Sequence, residues 1–442
     1  MDANVNPMYR VAVQIANGLA GHFFCYCIEE GSFYIYKLGV WEQIHDLELL
    51  RIISEQYPDI NNNNISIVEH IPRQLKRLVY KRLVDFNSNG YLNFDIGEYD
   101  TSTYKIIDHS RDYYSTIRIP YPFDNAASCP LWTQTLNQIL EGNKEKIEIL
   151  QEFFGYCLTR DTRQRKALLL LGDSNCGKST ILNILRFLVG EMNCSSVPLK
   201  KLPNPQHTPM LINKLINIDS EVSMNAQEFE DEFKIITSGE PINCNQKFIK
   251  SFEFVPYCKL AMAANIFPRI TDHSSAFYNR LILIPCEKIF KEKEQDKKIS
   301  DKLKNELSGI FNWSIEGLKR LRERGTFERK EFMMEAVKDL EDNNNPVNRF
   351  LEDHVVVDLE NDIFIIKNDL YDNYRKWSIS EGHGVLSSVR FGQSLYKKFN
   401  KFTEKRSQHY HTGKRVWRNL KYVESKGENS ETNDKGQVKW ED

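Results

Sequence analysis

Nine residues, Gly172-Asp173-Ser174-Asn175-Cys176-Gly177-Lys178-Ser179-Thr180, carry the clearest chemistry in this chain. They fit the pattern G-x-x-x-x-G-K-S, with a lysine and a hydroxyl directly after the second glycine. Glycines let a backbone turn its N–H groups inward around a phosphate. A lysine in that place reaches the β- and γ-phosphates, and the hydroxyl holds Mg²⁺. The elements that must position the loop are legible on either side. Ala167–Leu171 is an apolar run after the charged Lys166, short enough for a buried strand. Ile181 to Val189 repeats apolar residues at helix spacing, so a helix N-terminus adds its partial positive charge to the loop. Strand, loop and helix in that order predict a bound nucleoside triphosphate, ATP with Mg²⁺.

Three more apolar runs carry, at one end, residues that suit such a site. Met210 to Val222 ends in Asp219 and Glu221, and a parallel strand closing on acids beside a phosphate loop can bind Mg²⁺ and orient water. Ser220 separates the two acids, which would share a face of a flat strand. An acidic turn after a core strand is the plainer alternative. Lys259–Ala264 is a third strand ending at Asn265, whose amide can touch a γ-phosphate or the water. Arg280 stands directly before a fourth, Leu281 to Ile284; a lone arginine there is ordinarily a surface charge. Between the second and third strands, Thr237 to Phe254 reads as a hairpin with Lys247 and Lys250 flanking Phe248. Basic residues interleaved with an aromatic suit a single strand of nucleic acid, although a charged hairpin tip fits the same residues.

The 442 residues suffice for two to four domains. Apolar and charged fractions of 41% and 27% are those of a soluble globular chain, and the net charge of −2 points to no partner. No apolar run reaches membrane-spanning length: Val11 to Ile28 is broken by Gln14, Asn17 and His22, and lacks the marks of a signal peptide. Nine cysteines with no C-x-x-C pair predict a reduced, intracellular chain without a metal other than Mg²⁺, with Cys25 and Cys27 in a core.

Residues 1–128 read as an α/β lobe. Within it, Ile71 to Leu83 looks like an amphipathic helix, and its Arg73, Lys76, Arg77, Lys81 and Arg82 suit a solvated face better than a nucleic-acid site. Asn61 to Asn64 reads as a loop. Residues 129–165 form a helical lead-in, 166–290 the nucleotide core and 291–342 a further helical segment. Residues 343–423 read as helix, strand, helix, helix and β-wing. From Arg390 to Lys421 there are ten Lys/Arg and one acid, the footprint of a winged helix on duplex DNA. The polar tail, 424–442, is expected to be disordered.

Four features together resemble the superfamily III helicase domain of phage and plasmid primase–helicases, the group that includes the poxvirus ATPase–primase. They are the Gly172–Thr180 loop, Asn217-Ile218-Asp219-Ser220-Glu221, the Ser238-Gly239-Glu240 hairpin, and Ala263 to Pro268 with Asn279-Arg280. The likeness runs from Asn89 to Leu318. It implies an AAA+-like P-loop core assembled as a homo-hexameric ring. Lys178 and Ser179 would hold phosphate and Mg²⁺, Asp219 and Glu221 would serve metal and water, and Asn265 would sense the γ-phosphate. Arg280 would be an arginine finger in the neighbour's site, and Lys247 and Lys250 would grip DNA in the channel. The separated acids depart from the group's pattern and leave their division of labour open. No primase domain of the kind that members often carry is read in this sequence, so the expectation is either a helicase-only protein or one part of a longer polypeptide, with a primase or polymerase as partner or fused domain. The implied function is an ATP-driven DNA helicase replicating a viral or mobile genome, in the cytoplasm of a bacterial host or an infected cell. The alternative is an origin-binding initiator or loader that ATP only switches.

Overall fold

The computed structural model describes residues 7–19, 24–58, 65–222, 229–245, 250–266, 275–361, 363–382, 384–399, 407–408 and 415–423. Five strands, labelled β1–β5, make the central sheet: β1 Ala167–Leu171, β2 Cys194–Ser195, β3 Ile216–Asp219, β4 Lys259–Ala264 and β5 Leu281–Pro285. Their order is β5-β1-β4-β3-β2, and every neighbouring pair is parallel. Nearly every residue of β1, β4 and β5 is buried, as a parallel sheet covered on both faces requires. Uninterrupted apolar runs such as Ala167 to Leu171 therefore become strands without any alternation.

Five helices brace this sheet: α1 Pro130–Ile139, α2 Lys144–Cys157, α3 Lys178–Val189, α4 Glu230–Ser238 and α5 Leu307–Arg324. Ile181, Leu182, Ile184, Leu185, Leu188 and Val189 fix α3 in the core. The first backbone donors of α1 are satisfied from a distance. Glu306 accepts N–H bonds from Leu131 and Trp132 at 3.0 and 2.9 Å, setting a carboxylate against a helix N-terminus. Glu152, 1% exposed on α2, receives both Arg320 (2.8 Å) and Arg324 from α5.

The chain divides into two compact units, 1–334 and 335–442. Within the first, Leu92 to Tyr121 shares a hydrophobic core with α1, α2, α3 and α5, so this stretch packs with the nucleotide core rather than with an isolated lobe. The N-terminal sheet pairs Val40–Ile44, Ser32–Lys37, Phe24–Cys27 and Tyr80–Lys81 in that order, backed by helices Pro7–Leu19, Asp46–Gln56 and Ile65–Leu78. The expected helix over Ile71 to Leu83 stops at Leu78, because Tyr80 and Lys81 pair in parallel with Tyr26 and Cys27. Its cations have local work. Lys76 lies over the Tyr26 ring, Lys81 over Tyr114, and Arg82 pairs with Glu29.

The second unit contains helices Pro346–His354, Lys367–Ser380 and Ser388–Phe399. Phe364–Ile366, Arg415–Arg418 and Ser407–Gln408 form a three-stranded sheet, and Val355–Val357 pairs with Leu420–Tyr422. Asn61 to Asn64, Lys247, Phe248 and residues 424–442 lie outside the described residues.

The tightest joint between helices is where α2 meets α5. A Cβ on Gly155 would stand 2.3 Å from the Ser314 carbonyl, and one on Gly317 would stand 2.4 Å from that of Gln151. Alanine is the better helix former by ~1 kcal/mol, whereas overpacking a core costs ~1–3 kcal/mol, and a backbone carbonyl cannot swing aside. Gly155→Ala should therefore lower the unfolding free energy by up to about 2 kcal/mol net in urea titrations. A raised midpoint would refute the close-packed joint.

Candidate functional site

Parallel pairing brings the carboxyl ends of all five strands to one edge of the sheet. Leu171 is paired with Ala264 on one side and Pro285 on the other, and Asp219 with Met262. The residues that follow must then emerge together. Gly172 leaves β1 with its N–H on the Ala264 carbonyl at 3.2 Å, beside Asn265. The passage is narrow, since a Cβ on Gly172 would stand 2.1 Å from the Cys286 carbonyl. Asn175 (φ 63°) and Gly177 (φ 88°) adopt the left-handed conformation, which curls the loop before α3 begins at Lys178. At Gly177 a Cβ would also lie 2.7 Å from Ile139, so sterics and backbone angle both favour glycine there.

Lys178 is 8% exposed and threads the loop. Its Nζ donates to the carbonyls of Gly172 and Asp173, both at 2.6 Å, and to Asn265 Oδ1 at 3.2 Å, and stands 3.3 Å from Cys176 Sγ. Asn265 Nδ2 reaches Ser174 Oγ at 3.3 Å. Asp173, Ser174, Asn175 and Ser179 are exposed and Thr180 half-buried. The structure thus brings the loop and Asn265 together, on strands distant in sequence.

The two acids separate. Asp219 closes β3, is 8% exposed, and accepts the Leu199 N–H at 2.8 Å. Strand alternation does not extend to Glu221: the chain leaves the ladder at Ser220, Glu221 is exposed, and Val222 N–H returns to the Ala263 carbonyl at 3.0 Å. Two residues before Asp219, Asn217 clasps a passing segment through its amide. Its Oδ1 accepts the Val197 N–H at 2.7 Å and its Nδ2 donates to the Val197 carbonyl at 2.9 Å.

Arg280 stands at the opposite edge. Its carbonyl accepts the N–H of Ala167, the first residue of β1, so the length of the strand, roughly 15 Å, separates it from the loop of its own chain. The guanidinium donates to the Ala276 carbonyl at 2.7 Å and to Ser238 Oγ at 3.0 Å, while its Nε is buried with no partner among the described residues. Other cations gather here. Lys166 donates to the Asn279 carbonyl at 2.5 Å and Arg329 to Asn279 Oδ1 at 2.9 Å. Burial first, then Arg329 and Arg280, hold Lys166 down to about 8. Sequence reasoning named Arg280 and missed Lys166 and Arg329. The available signal was that Lys166 and Arg280 each precede a strand and that β1 and β5 are neighbours.

The hairpin comprises Ile242–Cys244 and Phe252–Phe254, antiparallel, with Lys250 exposed beside its tip. Its first strand is tied to the segment before β3: Thr208 Oγ donates to the Asn243 carbonyl at 2.8 Å, and Asn245 N–H to that of Pro205 at 3.0 Å.

Three family models match the chain: one described as D5 N terminal like over residues 13–141, a family of unknown function (DUF5906) over 170–280, and one described as poxvirus D5 protein-like over 342–429. A helicase-named protein, 121R of Invertebrate iridescent virus 3, is 26% identical over 144 residues, covering 30% of this chain and 15% of that protein. The uncharacterized mitochondrial protein ymf21 of Marchantia polymorpha is 23% identical over 118 residues, covering 24% of this chain and 66% of that protein. The chain therefore spans less than two thirds of either relative. Among solved structures, the A-form apo structure of the NrS-1 C-terminal region superposes with a TM-score of 0.50 at 16% identity, covering 90% of this chain and 83% of that one. The mixed α/β fold is shared with that region. Among the described residues no helix is long and apolar enough to cross a membrane.

Asn217→Ala would leave both polar groups of Val197 unpaired and buried, at ~1–3 kcal/mol each, so the unfolding free energy should fall by roughly 2–6 kcal/mol. A loss under about 0.5 kcal/mol in a denaturant titration would show that the clasp is replaceable.

Proposed function

We propose that this chain, a member of the D5-like phage and viral primase–helicase group, is an ATP-driven DNA helicase whose hydrolytic sites lie between copies in a homo-hexameric ring. The observation that carries the reading is the split of the candidate site between two edges of one sheet. The loop, Asp219 and Asn265 share the carboxyl edge, while Arg280 stands a strand's length away. Phosphate-binding and finger-like residues so separated cannot serve one phosphate within a single copy, but they can across an interface. Strand order β5-β1-β4-β3-β2 and a glycine-shaped loop at a helix N-terminus support an AAA+-like nucleotide core.

In this reading Gly172 to Thr180 cradle the phosphates, and Lys178 exchanges its two loop carbonyls for β- and γ-phosphate oxygens. Ser179 and Asp219 hold Mg²⁺, which when bound spreads the charge that develops on the phosphates. Glu221, exposed beyond the strand end, orients the attacking water. Asn265 already contacts Lys178 and relays the state of the γ-phosphate to β4. Arg280 inserts into the neighbour's site. Lys250, with Lys247 and Phe248, contacts a single DNA strand in the channel. The helices and small sheet of the second unit suit a winged-helix-like contact to duplex DNA, and a primase acts as partner or fused domain.

Lys178→Ala should abolish ATP binding and hydrolysis, while Arg280→Ala should retain binding and lose hydrolysis, by ~10³–10⁵-fold if it acts as fingers do elsewhere. Mixed rings of the two variants should recover part of the activity, measured as phosphate release. Normal hydrolysis by Arg280→Ala would remove the inter-copy site. A strand-displacement assay on forked DNA separates the helicase from an origin-binding initiator. ATP-dependent unwinding by the chain alone is expected; salt-sensitive duplex binding with no unwinding would favour the initiator.

A further inference from the structure

Two thiols meet at the glycine-rich loop. Cys176 lies within it, 1% exposed, and Cys286 follows β5, 2% exposed. The chain from Cys286 to Phe290 is fastened along the loop. Cys286 N–H donates to the Leu171 carbonyl at 2.7 Å, and Phe290 N–H to that of Asn175 at 3.0 Å. A Cβ on Gly172 would lie 3.2 Å from Cys176 Sγ and 2.1 Å from the Cys286 carbonyl, so the loop and both cysteines crowd one point. The Lys178 ammonium stands 3.3 Å from the Cys176 sulfur, and the Cys286 thiol donates to the Ile284 carbonyl at 3.8 Å. The neighbouring Cys286 first, and then Lys178, hold the Cys176 thiol below its ordinary range, while Cys176 and burial push Cys286 up. The N-terminus of the twelve-residue α3, two residues on, favours a thiolate further. Burial pushes the other seven cysteines up as well, so Cys176 alone of the nine is held down.

We propose that Cys176 and Cys286 are a reversible dithiol–disulfide pair, a modification site whose oxidation closes the loop to the triphosphate. This rests on the nucleotide reading above. The oxidant is a hydroperoxide. The Cys176 thiolate attacks one peroxide oxygen, the O–O bond breaks, and hydroxide or alkoxide leaves, making a sulfenic acid at Cys176. The Cys286 sulfur then attacks the Cys176 sulfur and the S–O bond breaks. The departing hydroxide takes the Cys286 proton as water, and the two thiols have supplied the two electrons that reduce the peroxide. The bond takes the negative charge from beside Lys178 and fastens the loop by its side chains to the strand end it already touches.

Hydrogen peroxide applied to the reduced full chain should yield, after acid quench and proteolysis, a Cys176–Cys286 linked peptide by mass spectrometry. Non-hydrolysable ATP analogue should protect against it, and dithiothreitol should remove it. Nucleotide binding should weaken at least about tenfold on oxidation and return on reduction. In Cys286→Ser no link should form, and Cys176 should run on to sulfinic acid that dithiothreitol does not reverse. Oxidation of Cys176 without a link to Cys286, or a linked chain that binds nucleotide as the reduced one does, would overturn the proposal. A reduced chain that binds no nucleotide would instead sink the proposed function, because the linked peptide is read independently.

Discussion

The register that seats β1 between β4 and β5 is the constraint on which the rest of the molecule depends. Pairing Leu171 with both Ala264 and Pro285 forces Gly172, Asn265 and Cys286 to emerge side by side. The crowding at Gly172, the Lys178 contact with Asn265 and the meeting of Cys176 with Cys286 all follow. At the other end the same register aligns Leu281 with Ala167, so Arg280 and Lys166 become neighbours. Moving β5 by one residue would bury the faces differently and undo both ends at once. A parallel sheet thereby makes a molecule with two chemically unlike edges, one glycine-rich and one cationic.

Much of this was legible in the sequence, for a definable reason. Buried parallel strands are continuous apolar runs, so Ala167 to Leu171, Lys259 to Ala264 and Leu281 onward could be bounded closely from composition alone. The loop was legible because two glycines, a lysine and a hydroxyl have fixed spacing. Local pattern failed where a distant partner decides conformation. Tyr80 and Lys81 carry a helical pattern onward, but an open strand edge at Tyr26 claims them. Glu221 looked aligned with Asp219 only while the strand was assumed to continue; the return of Val222 to Ala263 ends it at Asp219. Lys166 and Arg329 gain their meaning from Asn279, 113 and 50 residues away in sequence, which no spacing rule supplies.

Hydrogen bonds, buried at β3 and more exposed toward the hairpin, link one segment to both. Asp219 holds Leu199, and Asn217 holds Val197 on the same segment. Past the 3-10 turn at Leu199–Lys201 that segment reaches Pro205 and Thr208, which bond Asn245 and Asn243. Left unpaired, the buried bonds at Leu199 and Val197 would cost ~1–3 kcal/mol each, so that end of the segment is held firmly against β3. The segment thus stands between the acid of β3 and the hairpin and is bonded to both, more exposed at the hairpin end than at the sheet.

The second unit raises a different question of magnitude. Several of its lysines already have acidic partners: Lys397 pairs with Glu341 at 3.6 Å, Lys398 with Glu352 at 2.8 Å and Lys421 with Asp358 at 3.1 Å. Exposed pairs of this kind are worth only ~0–1 kcal/mol, since water screens them and holding two long side chains costs entropy. A nucleic-acid phosphate also releases condensed counterions when a lysine neutralises it, a gain that grows with each contact. Under the proposed duplex contact, the same lysines would gain more on a phosphate backbone than these internal pairs give. The pairs are therefore compatible with that proposal, although part of the ten-to-one excess of cations from Arg390 to Lys421 is paired in the isolated chain.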